Sequence, residues 1–506
     1  MADAVPLPAD RAVLVLGAGT MGAGIAEVAA AAGHAVLLRD ADPAAAGRAI
    51  AGIRAGLQRR VQRGRLDAAQ AEAIAARIGT DADEAPLPAA GLAIEAIVED
   101  LDAKARALGA LLPRLPGDAL LATNTSSLSV TALAARLPAP GRVVGMHFFN
   151  PATILPLVEV VRGQASDPDA VARIAATARA WGKVPVECAS TPGFIVNRVA
   201  RPFYGEALRL LLERHADPAT LDAVMREAGG FRMGPCELMD LIGHDVNFAV
   251  TRSVWAGFFH DPRYQPSLVQ QALVDAGWLG RKRGRGFYAY GDDAPAPVPA
   301  ERSGPRPREV IAEGDLGPAH ALAERLLAAG LPLRRAAGAG LLRVDGHAVA
   351  LTDGRTADAR SQAQGEPVAL FDLALDWSAC TRAAVALPAG ASDAHAEAAF
   401  GLFSALGMRV SPLGDAPGLA VARTVAMLVN EAADAVQQGV AAPDDIDAAM
   451  QRGVNYPRGP LDWGRALGLD YVAGVIAHLA DAHGEDRYRV SPWLRRAALQ
   501  AAPAHG

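Results

Sequence analysis

Residues 12–22 read Ala-Val-Leu-Val-Leu-Gly-Ala-Gly-Thr-Met-Gly, an apolar run followed at once by three glycines in the spacing G-x-G-x-x-G. The apolar run predicts a buried parallel strand, and the helical stretch Ala23–Ala32 that follows it closes at Gly33. A second strand, Ala35–Arg39, ends at Asp40. This complete order of strand, glycine turn, helix and strand is typical of a dinucleotide-binding βαβ unit, whereas a lone glycine pattern is weak evidence.

The residue types in this fingerprint suit a pyrophosphate and a ribose. The first glycine makes the tight turn, the second lets the backbone approach the phosphates, and the third lets helix and strand pack closely. The helix N-terminus supplies free N–H groups. Asp40 would accept the ribose hydroxyls and repel a 2′-phosphate, which favours NAD over NADP, although the adjacent Arg39 weakens that preference slightly. The predicted cofactor-binding residues are Gly17, Gly19, Thr20, Met21, Gly22 and Asp40.

Further strands are expected at Leu92–Ile97, Ala119–Ala122 and Arg142–Met146. Polar residues follow their carboxyl ends, which is the edge where open α/β sheets bind ligands. These residues are Glu99, Asn124, Ser126 and His147.

Several of these side chains also have a structural interpretation. Ser126 or Ser127 could cap a helix predicted over Leu128–Leu137. Glu99 could be a solvated loop acid with Lys104 as its helical neighbour. Taken together, the polar residues along one edge favour a site.

His147 and Glu159 suggest general base chemistry. His147 ends a run of Val and Gly and precedes Asn150-Pro151, so a buried strand would deliver a titratable ring to a turn. Glu159 follows twelve positions later among apolar neighbours, where a carboxylate is costly to bury without a partner. A His–carboxylate pair is a common general base near neutral pH.

The second half of the chain repeats part of the first. Pro417-Gly418 matches Pro192-Gly193 at an offset of 225 residues, and the register continues without a gap for more than fifty residues. In this register Asn197 becomes Ala422 while Arg198 persists as Arg423. A purely structural Asn197 would be expected in both copies. Its loss from the second copy therefore favours a functional Asn197 in the first.

A Pro-rich stretch, residues 291–317, separates the copies and predicts an extended linker. Residues 318–413 suggest a small α/β unit, with apolar runs at Pro367–Phe371 and Arg382–Leu387 as strands. This unit lacks a G-x-G-x-x-G pattern, an acid after a second strand and a His at a strand end. It is therefore interpreted as a decayed copy of the first domain, retained for packing.

Composition narrows the class of protein. The 506 residues allow roughly three domains, and the net charge of −6 lacks the basic bias of a nucleic-acid-binding protein. The three cysteines are widely spaced and fit neither a disulfide framework nor a zinc site, so no metal is predicted. Residues 1–8 do not resemble a signal peptide, and no apolar run approaches the roughly 20 residues of a membrane span. A cytoplasmic protein without a membrane or nucleic-acid partner is expected.

With these residues assembled, the chain resembles the L-3-hydroxyacyl-CoA dehydrogenase family along nearly its whole length, in the branch with a reduced Rossmann unit and a second helical module. The motifs that carry the resemblance are 17–22 (GAGTMG), 95–101 (EAIVEDL), 123–128 (TNTSSL), 147–151 (HFFNP) and 191–198 (TPGFIVNR). By resemblance, His147 is the catalytic base, Glu159 its partner, and Ser126 and Asn197 bind the reacting substrate oxygen. The resemblance also implies that Glu99, Lys104 and Asn124 line the nicotinamide side of the NAD site.

The resemblance further assigns Arg63 and Asn150 to substrate binding. Arg63 belongs to a basic helix with Arg54, Arg59 and Arg60, which corresponds to the family's CoA-binding segment; Gly56 stands where some members have a serine. The implied reaction is NAD-dependent oxidation of a (3S)-3-hydroxyacyl-CoA, of butyryl or adipyl type, in fatty-acid or phenylacetate catabolism. Alternatives are a dehydrogenase of another 3-hydroxy acid, or a nucleotide-binding structural relative with little activity.

The expected organisation is α/β plus α. It comprises an NAD-binding Rossmann-type doubly wound sheet (1–190), a helical module (191–290), the linker (291–317), a reduced Rossmann-like unit (318–413) and a second helical module (414–506). The two helical modules are expected to form an internal pseudo-dimer, and a homodimer of chains stays open. Arg232 is a candidate anchor for a distal substrate carboxylate, while the basic loop 281–285 is interpreted as solvated.

Overall fold

A computed structural model describes residues 4–80 and 87–501 of the chain. These residues form two compact units, one comprising residues up to 198 together with 439–454, and the other comprising 199–438 and the residues from 455 onward. Each unit contains one β-sheet.

The sheet of the first unit has eight strands in the order β3-β2-β1-β4-β5-β6-β7-β8. All neighbours are parallel except β6 and β7, which run antiparallel. The order reverses between β1 and β4, which creates the switch point where such sheets bind ligands. The strands are β1 (Ala12–Leu16), β2 (Val36–Arg39), β3 (Ile78–Thr80), β4 (Ala90–Glu95), β5 (Leu120–Thr123), β6 (Val143–Phe148), β7 (Leu157–Arg162) and β8 (Val184–Ala189).

Several helices of this unit begin at a side chain that caps their N-terminus. Asp42 accepts a hydrogen bond from the backbone of the first turn of α2, and Asp100 and Asp167 do the same for α4 and α6. The helices are α1 (Thr20–Ala31), α2 (Pro43–Gln62), α3 (Ala68–Ala76), α4 (Leu101–Leu111), α5 (Val130–Ala134), α6 (Pro168–Ala180) and α7 (Val196–Val199). The helix predicted over Leu128–Leu137 is the shorter α5, and the alternative in which Ser126 or Ser127 caps it is wrong, because the Ser129 side chain is the cap.

The second unit combines helices with a seven-stranded mixed sheet. Its order is β10-β9-β11-β12-β13-β14-β15, with antiparallel pairs at β9–β11, β11–β12 and β13–β14. The strands are β9 (Val310–Glu313), β10 (Leu333–Ala336), β11 (Leu341–Val344), β12 (His347–Leu351), β13 (Val368–Phe371), β14 (Arg382–Ala386) and β15 (Arg409–Pro412). Strand β9 lies inside the stretch expected to be linker, because the apolar run 310–312 follows the last proline closely and pairs with β10 and β11.

The helices of the two modules repeat in the same register. Helix α10 and its copy α18 have bounds that differ by the offset of 225 residues. The remaining helices are α8 (Arg201–Leu212), α9 (Pro218–Glu227), α10 (Pro235–Ile242), α11 (His244–Gly257), α12 (Leu268–Asp275), α13 (His320–Ala328), α14 (Ala357–Gln364), α15 (Asp393–Ser404), α16 (Val421–Gln437), α17 (Pro443–Val454), α18 (Pro460–Leu467), α19 (Leu469–His483) and α20 (Pro492–Ala501).

One helix of the second module belongs to the first unit. Helix α17 packs on β7 and β8, and the adjoining Val440 accepts a hydrogen bond from the backbone N–H of Ala189 at 2.8 Å. A Cβ added to Gly453 would lie 2.5 Å from Leu157, so this helix sits close against the sheet. Its counterpart α9 packs against β14 of the second unit, where Glu227 pairs with Arg382 at 3.1 Å.

Candidate active site

The glycine turn after β1 is as tight as the fingerprint requires. Gly17 has φ +97°, and a Cβ there would lie 2.4 Å from the carbonyl oxygen of Ala96. A Cβ on Gly22 would lie 1.8 Å from the carbonyl oxygen of Gly17. By contrast, a Cβ on Gly19 would meet no non-neighbouring heavy atom of the described residues within 4 Å. The turn therefore has crowded positions that only glycine fits and one open position where a ligand could approach the backbone.

Thr20 and Met21 open the helix at this turn. Thr20 is exposed at the first position of α1, while Met21 packs against the hydrophobic core of the sheet. Both residues place backbone N–H groups in the first turn of the helix, which is where an anion is favoured. The Met21 side chain thus contributes packing rather than polarity.

Asp40 is held by the backbone at the end of β2. Its carboxylate accepts hydrogen bonds from the N–H of Ala18 at 2.7 Å and the N–H of Asp42 at 3.0 Å. It lines a cavity of 460 Å³ that also includes Gly17, Arg39 and Ile97. A pre-oriented carboxylate beside a cavity and a glycine turn fits the ribose of a dinucleotide, so the residues present suit NAD.

His147 and Glu159 face each other across β6 and β7. They are register partners in this antiparallel pair, and His147 Nδ1 lies 2.7 Å from Glu159 Oε2. The other oxygen, Oε1, accepts from the backbone N–H groups of Ile195 at 3.0 Å and Val196 at 2.8 Å. A carboxylate that accepts two N–H bonds is an acceptor for the ring as well, so Nδ1 carries the proton and Nε2 has the free lone pair.

The turn before α7 brings those two N–H groups to Glu159. Gly193 has φ 74° and Phe194 has φ 49°, so two successive residues occupy left-handed conformations. The Phe194 ring also lies against His147, with ring centroids 5.9 Å apart, and the Phe149 ring lies at 4.5 Å. The imidazole is therefore fixed by one carboxylate and two aromatic rings.

Glu99 organises the loop that carries Ser126. One of its oxygens accepts from the Thr125 hydroxyl at 2.6 Å, from the Ser126 N–H at 3.0 Å and from the Ser127 N–H at 3.1 Å. Burial opposes the charge of Glu99, but the hydrogen bonds to Thr125 and Ser126 and the nearby Lys104 outweigh it and lower the pKa. Glu99 is thus an ionised and partly exposed residue whose hydrogen bonds organise the loop.

Asn124 and Asn197 connect the neighbouring strand ends. Asn124 accepts a hydrogen bond from the N–H of Phe148 at 2.8 Å, which joins the end of β5 to β6. Asn197 lies on α7, and its side-chain amide donates to the carbonyl oxygen of Ser126 at 3.4 Å. His147, Glu159, Ser126 and Asn197 are therefore brought together in the first unit.

Lys104 lies deeper than its neighbours. It is 1% exposed, and its Nζ donates to Glu95 at 2.7 Å and to the carbonyl oxygen of Ile97 at 3.2 Å, with Glu99 also at 3.2 Å. The Thr123 hydroxyl donates to Glu95 at 2.7 Å. Glu95, Thr123 and Thr125 were not predicted as site residues, although an acid at the end of a buried strand is a signal that could have identified Glu95.

The residues assigned to the acyl-CoA lie at exposed positions. Arg63 is exposed at the C-terminus of α2, and Asn150 is exposed in the turn after β6. Arg54 lines a cavity of 310 Å³ between α2 and α3. Arg60 instead forms an ion pair with Glu27. The structure does not bring Arg63 or Asn150 into a hydrogen-bonded set with His147 within the described residues.

Arg232 and the basic loop belong to the second unit. Arg232 is exposed and lines a cavity of 550 Å³ with Arg226 and Arg281. Within the loop, Lys282 pairs with Asp245 at 2.6 Å, and Arg285 lies over the Trp278 ring at 3.6 Å. These charges of the loop are thus engaged within their own unit.

Among its described residues, the reduced sheet has a carboxylate but no hydrogen-bonded imidazole at the corresponding helix start. Asp372 follows β13 and accepts from the N–H groups of Ala420, Val421 and Ala422, at 2.9, 2.7 and 3.0 Å. The first two match Ile195 and Val196 in the repeat. Burial raises the pKa of Asp372 to about 6, against these hydrogen bonds.

The loop after β12 in the reduced sheet is covered by α19. The hydroxyl of Tyr471 donates to the carbonyl oxygen of Thr352 at 2.9 Å, and a Cβ on Gly354 would lie 2.5 Å from the carbonyl oxygen of Val475. Helix α19 therefore lies directly against this loop. In the described residues, the second copy thus keeps the helix anchor at Asp372 with no imidazole hydrogen-bonded to it.

No group of three or more His, Cys, Asp or Glu side chains suited to a metal ion occurs among residues 4–80 and 87–501. In the same ranges, none of the helices has the length and apolar character needed to cross a membrane.

Comparison with known proteins identifies the family. Residues 12–191 match the NAD-binding domain of 3-hydroxyacyl-CoA dehydrogenase, residues 193–290 and 418–502 match its C-terminal domain, and residues 349–417 match the reduced Rossmann-fold domain of 3-hydroxybutyryl-CoA dehydrogenase. The duplication and the reduced Rossmann unit expected from the sequence are thus confirmed.

Two relatives and one solved structure illustrate the similarity. A 3-hydroxyadipyl-CoA dehydrogenase of Escherichia coli K12 is 44% identical over 97% of this chain and 98% of its own length. A probable 3-hydroxybutyryl-CoA dehydrogenase of Bacillus subtilis is 38% identical over 55% of this chain and 97% of its own. The crystal structure of 3-hydroxybutyryl-CoA dehydrogenase from Escherichia coli K12 has a TM-score of 0.89 at 43% identity, covering 97% of this chain and 98% of that one. The chain therefore belongs to the 3-hydroxyacyl-CoA dehydrogenase family of NAD-dependent oxidoreductases.

Proposed function

We propose that this protein catalyses the reversible oxidation of a (3S)-3-hydroxyacyl-CoA to the 3-oxoacyl-CoA. The observation that carries the proposal is the His147–Glu159 pair, buried at the carboxyl edge of a sheet whose first turn fits NAD. When bound, NAD accepts the hydride that leaves C3 of the substrate.

His147 acts as the base. Its Nδ1–H donates to Glu159, so Nε2 is the atom that takes the proton of the C3 hydroxyl. Glu159 stabilises the imidazolium that results, and its own position is fixed by the N–H groups of Ile195 and Val196. In the reverse direction the imidazolium returns this proton to the oxygen of the 3-oxo group.

Ser126 and Asn197 bind the reacting oxygen. Their proximity, shown by the 3.4 Å contact from the Asn197 amide to the Ser126 carbonyl oxygen, supports this assignment. The repeat supports it independently, because Ala422 replaces Asn197 in the copy that has no imidazole at its anchor. A hydroxyl and an amide would hold the substrate oxygen in both its alcohol and carbonyl forms.

Other residues of the site hold the cofactor and the acyl-CoA. Asp40 holds the ribose, while Glu99, Lys104 and Asn124 shape the nicotinamide side of the site. Lys104 is buried and acts through its contact with Glu99. Arg63, with the exposed arginines of α2, attracts the CoA phosphates, and Asn150 contacts the acyl-CoA. These assignments rest on the family motifs and on the positions of the residues at the strand ends.

The acyl group is of the butyryl or adipyl type, following the names of the two full-length relatives. A panel of 3-hydroxybutyryl-CoA and 3-hydroxyadipyl-CoA would separate them by kcat/KM. A preference for the adipyl substrate that disappears in Arg232→Ala would make Arg232 the anchor of the distal carboxylate. Equal efficiency on both substrates, unchanged by the substitution, excludes that anchor.

We also propose that the two helical modules form an internal pseudo-dimer. The packing of α17 on the first sheet and of α9 on the second supports an exchange of equivalent helices between the copies. Sedimentation velocity determines whether two chains associate in solution. A species of 52.2 kDa agrees with a self-sufficient chain, whereas a species of twice that mass shows a homodimer of pseudo-dimers.

The central experiment follows NADH absorbance with 3-hydroxybutyryl-CoA and NAD. The wild-type protein is expected to turn over, and His147→Gln is expected to lose about 10²- to 10⁴-fold in kcat while still binding NAD. The matched control is His395→Gln, which removes a buried imidazole whose ring Nε2 lies 2.9 Å from the backbone oxygen of Ala348. Normal turnover in His147→Gln would remove His147 from the mechanism, and absence of turnover in the wild type would point to the low-activity relative.

A further inference from the structure

A buried ion pair lies directly behind the Ser126 loop. Glu95 is the last residue of β4, and Lys104 lies in the first turns of α4. Glu95 is 0% exposed and Lys104 1% exposed, and their charged atoms are 2.7 Å apart. Such a pair is costly to desolvate, so it needs a reason beyond stability.

Both carboxylate oxygens of Glu95 accept hydrogen bonds. Besides Lys104, it accepts from the Thr123 hydroxyl at 2.7 Å and from the N–H of Ile97 at 2.7 Å. Thr123 is the register partner of Glu95 on the neighbouring strand β5. The position of this carboxylate is therefore set by two strands and the turn after β4.

Lys104 connects Glu95 to the loop that carries Ser126. Its ammonium reaches Glu95, the carbonyl oxygen of Ile97 and Glu99, which match its three N–H donors. Glu99 then uses its other oxygen to hold the N–H groups of Ser126 and Ser127. The chain of contacts thus runs from the sheet interior to the residue proposed to bind the substrate oxygen.

We propose that Glu95 is a positioning residue for the active site: it holds Lys104, Lys104 holds Glu99, and Glu99 sets the Ser126 turn. This inference rests on the proposed function. Without Glu95, the carboxylate that remains beside the buried ammonium among the described residues would be Glu99, whose side chain is 36% exposed. The ammonium would then draw Glu99 away from the serine turn or follow it toward water.

Three variants separate positioning from mere structural support. Glu95→Gln and Lys104→Met each leave one buried charge without its main partner, so both are expected to unfold at lower temperature. The double variant removes both charges and is expected to recover much of that stability, since neutral replacements of a buried pair are often tolerated. Its kcat with 3-hydroxyacyl-CoA should nevertheless stay about 10- to 100-fold below wild type, because the serine turn has lost its support.

Ligand binding supplies a readout that does not depend on turnover. Calorimetric titration of the double variant with acetoacetyl-CoA should show weakened binding, because Ser126 is misplaced, while NAD binding changes less. The control is Asp102→Asn, which breaks the exposed pair with Arg136 on the same helix and should alter neither binding nor kcat.

The outcomes are distinct. A double variant that recovers wild-type stability together with wild-type kcat and acyl-CoA binding would overturn the inference and leave the ion pair a structural element. A double variant with recovered stability, weak acyl-CoA binding and low kcat supports it. If the wild-type protein does not reduce NAD with any 3-hydroxyacyl-CoA, the proposed function fails. Calorimetric titration of the wild type with NAD and with acetoacetyl-CoA tests binding independently of turnover, so this failure is distinguished from a failure of the role of Glu95.

Discussion

Replacing Glu159 by glutamine tests whether the base depends on one tautomer of His147. The amide oxygen of Gln can still accept from the N–H groups of Ile195 and Val196, which now lie 3.0 and 2.8 Å from Oε1. The amide nitrogen would then face His147 Nδ1 and can only donate. That arrangement forces the ring proton onto Nε2, the atom that must take the substrate proton.

The stability change is expected to be small. Two hydrogen bonds to a charged acceptor become bonds to a neutral one, a difference of about 1 kcal/mol each. The lower desolvation cost of the amide offsets part of that loss. The free energy of unfolding, measured in urea, should therefore change by about 2 kcal/mol or less. By contrast, kcat measured by NADH formation should fall by about 10²- to 10⁴-fold.

The second sheet provides a matched control. Asp372 anchors the N-terminus of α16 as Glu159 anchors that of α7, but it has no imidazole partner in the described residues. Asp372→Asn likewise replaces a buried carboxylate by a neutral amide, and it should leave kcat unchanged. The tautomer reasoning is refuted if Glu159→Gln retains wild-type turnover, or if Asp372→Asn lowers kcat to the same degree.

Three further predictions follow from single positions. Asp40→Asn should weaken NAD binding and reduce the preference for NAD over NADP, because the charge that repels a 2′-phosphate is gone. The preference is measured as the ratio of the Kd values for the two cofactors. Gly22→Ala should abolish NAD binding and lower stability by about 1–3 kcal/mol, since its Cβ would meet the Gly17 carbonyl at 1.8 Å. Burial raises the pKa of Asp372 to about 6, so the folded chain holds this proton more tightly than the unfolded chain. Wild type should therefore lose unfolding free energy between about pH 4 and pH 6, by about 3 kcal/mol, and Asp372→Asn should lack this loss.

The sequence was most informative where the chemistry is local. The strand at residues 12–16 has the expected bounds, and the expected His147–Glu159 pair is a direct cross-strand contact. Family membership and the reduced Rossmann unit are confirmed by the family matches. The roles of Ser126, Asn197 and the other site residues stay predictions.

Interactions between segments that are distant in the sequence could not be predicted from local sequence patterns. Glu95 acquires its role from Thr123, 28 positions later, through strand register. Asp372 reaches Ala420, 48 positions away, at the start of a helix whose approach no local pattern encodes. A helix cap was the structural alternative for Ser126 or Ser127, but Ser129 occupies that position, and the backbone N–H groups of residues 126 and 127 donate to Glu99 instead.

The placement of α17 has a consequence for biosynthesis. The face of β7 and β8 in the first unit is completed by residues 439–454, which leave the ribosome long after the strands themselves. Domains generally fold as units during synthesis, but this one must wait for most of the chain with an apolar surface uncovered. A chain truncated after residue 290 would therefore keep β7 and β8 but lack the helix that packs on them.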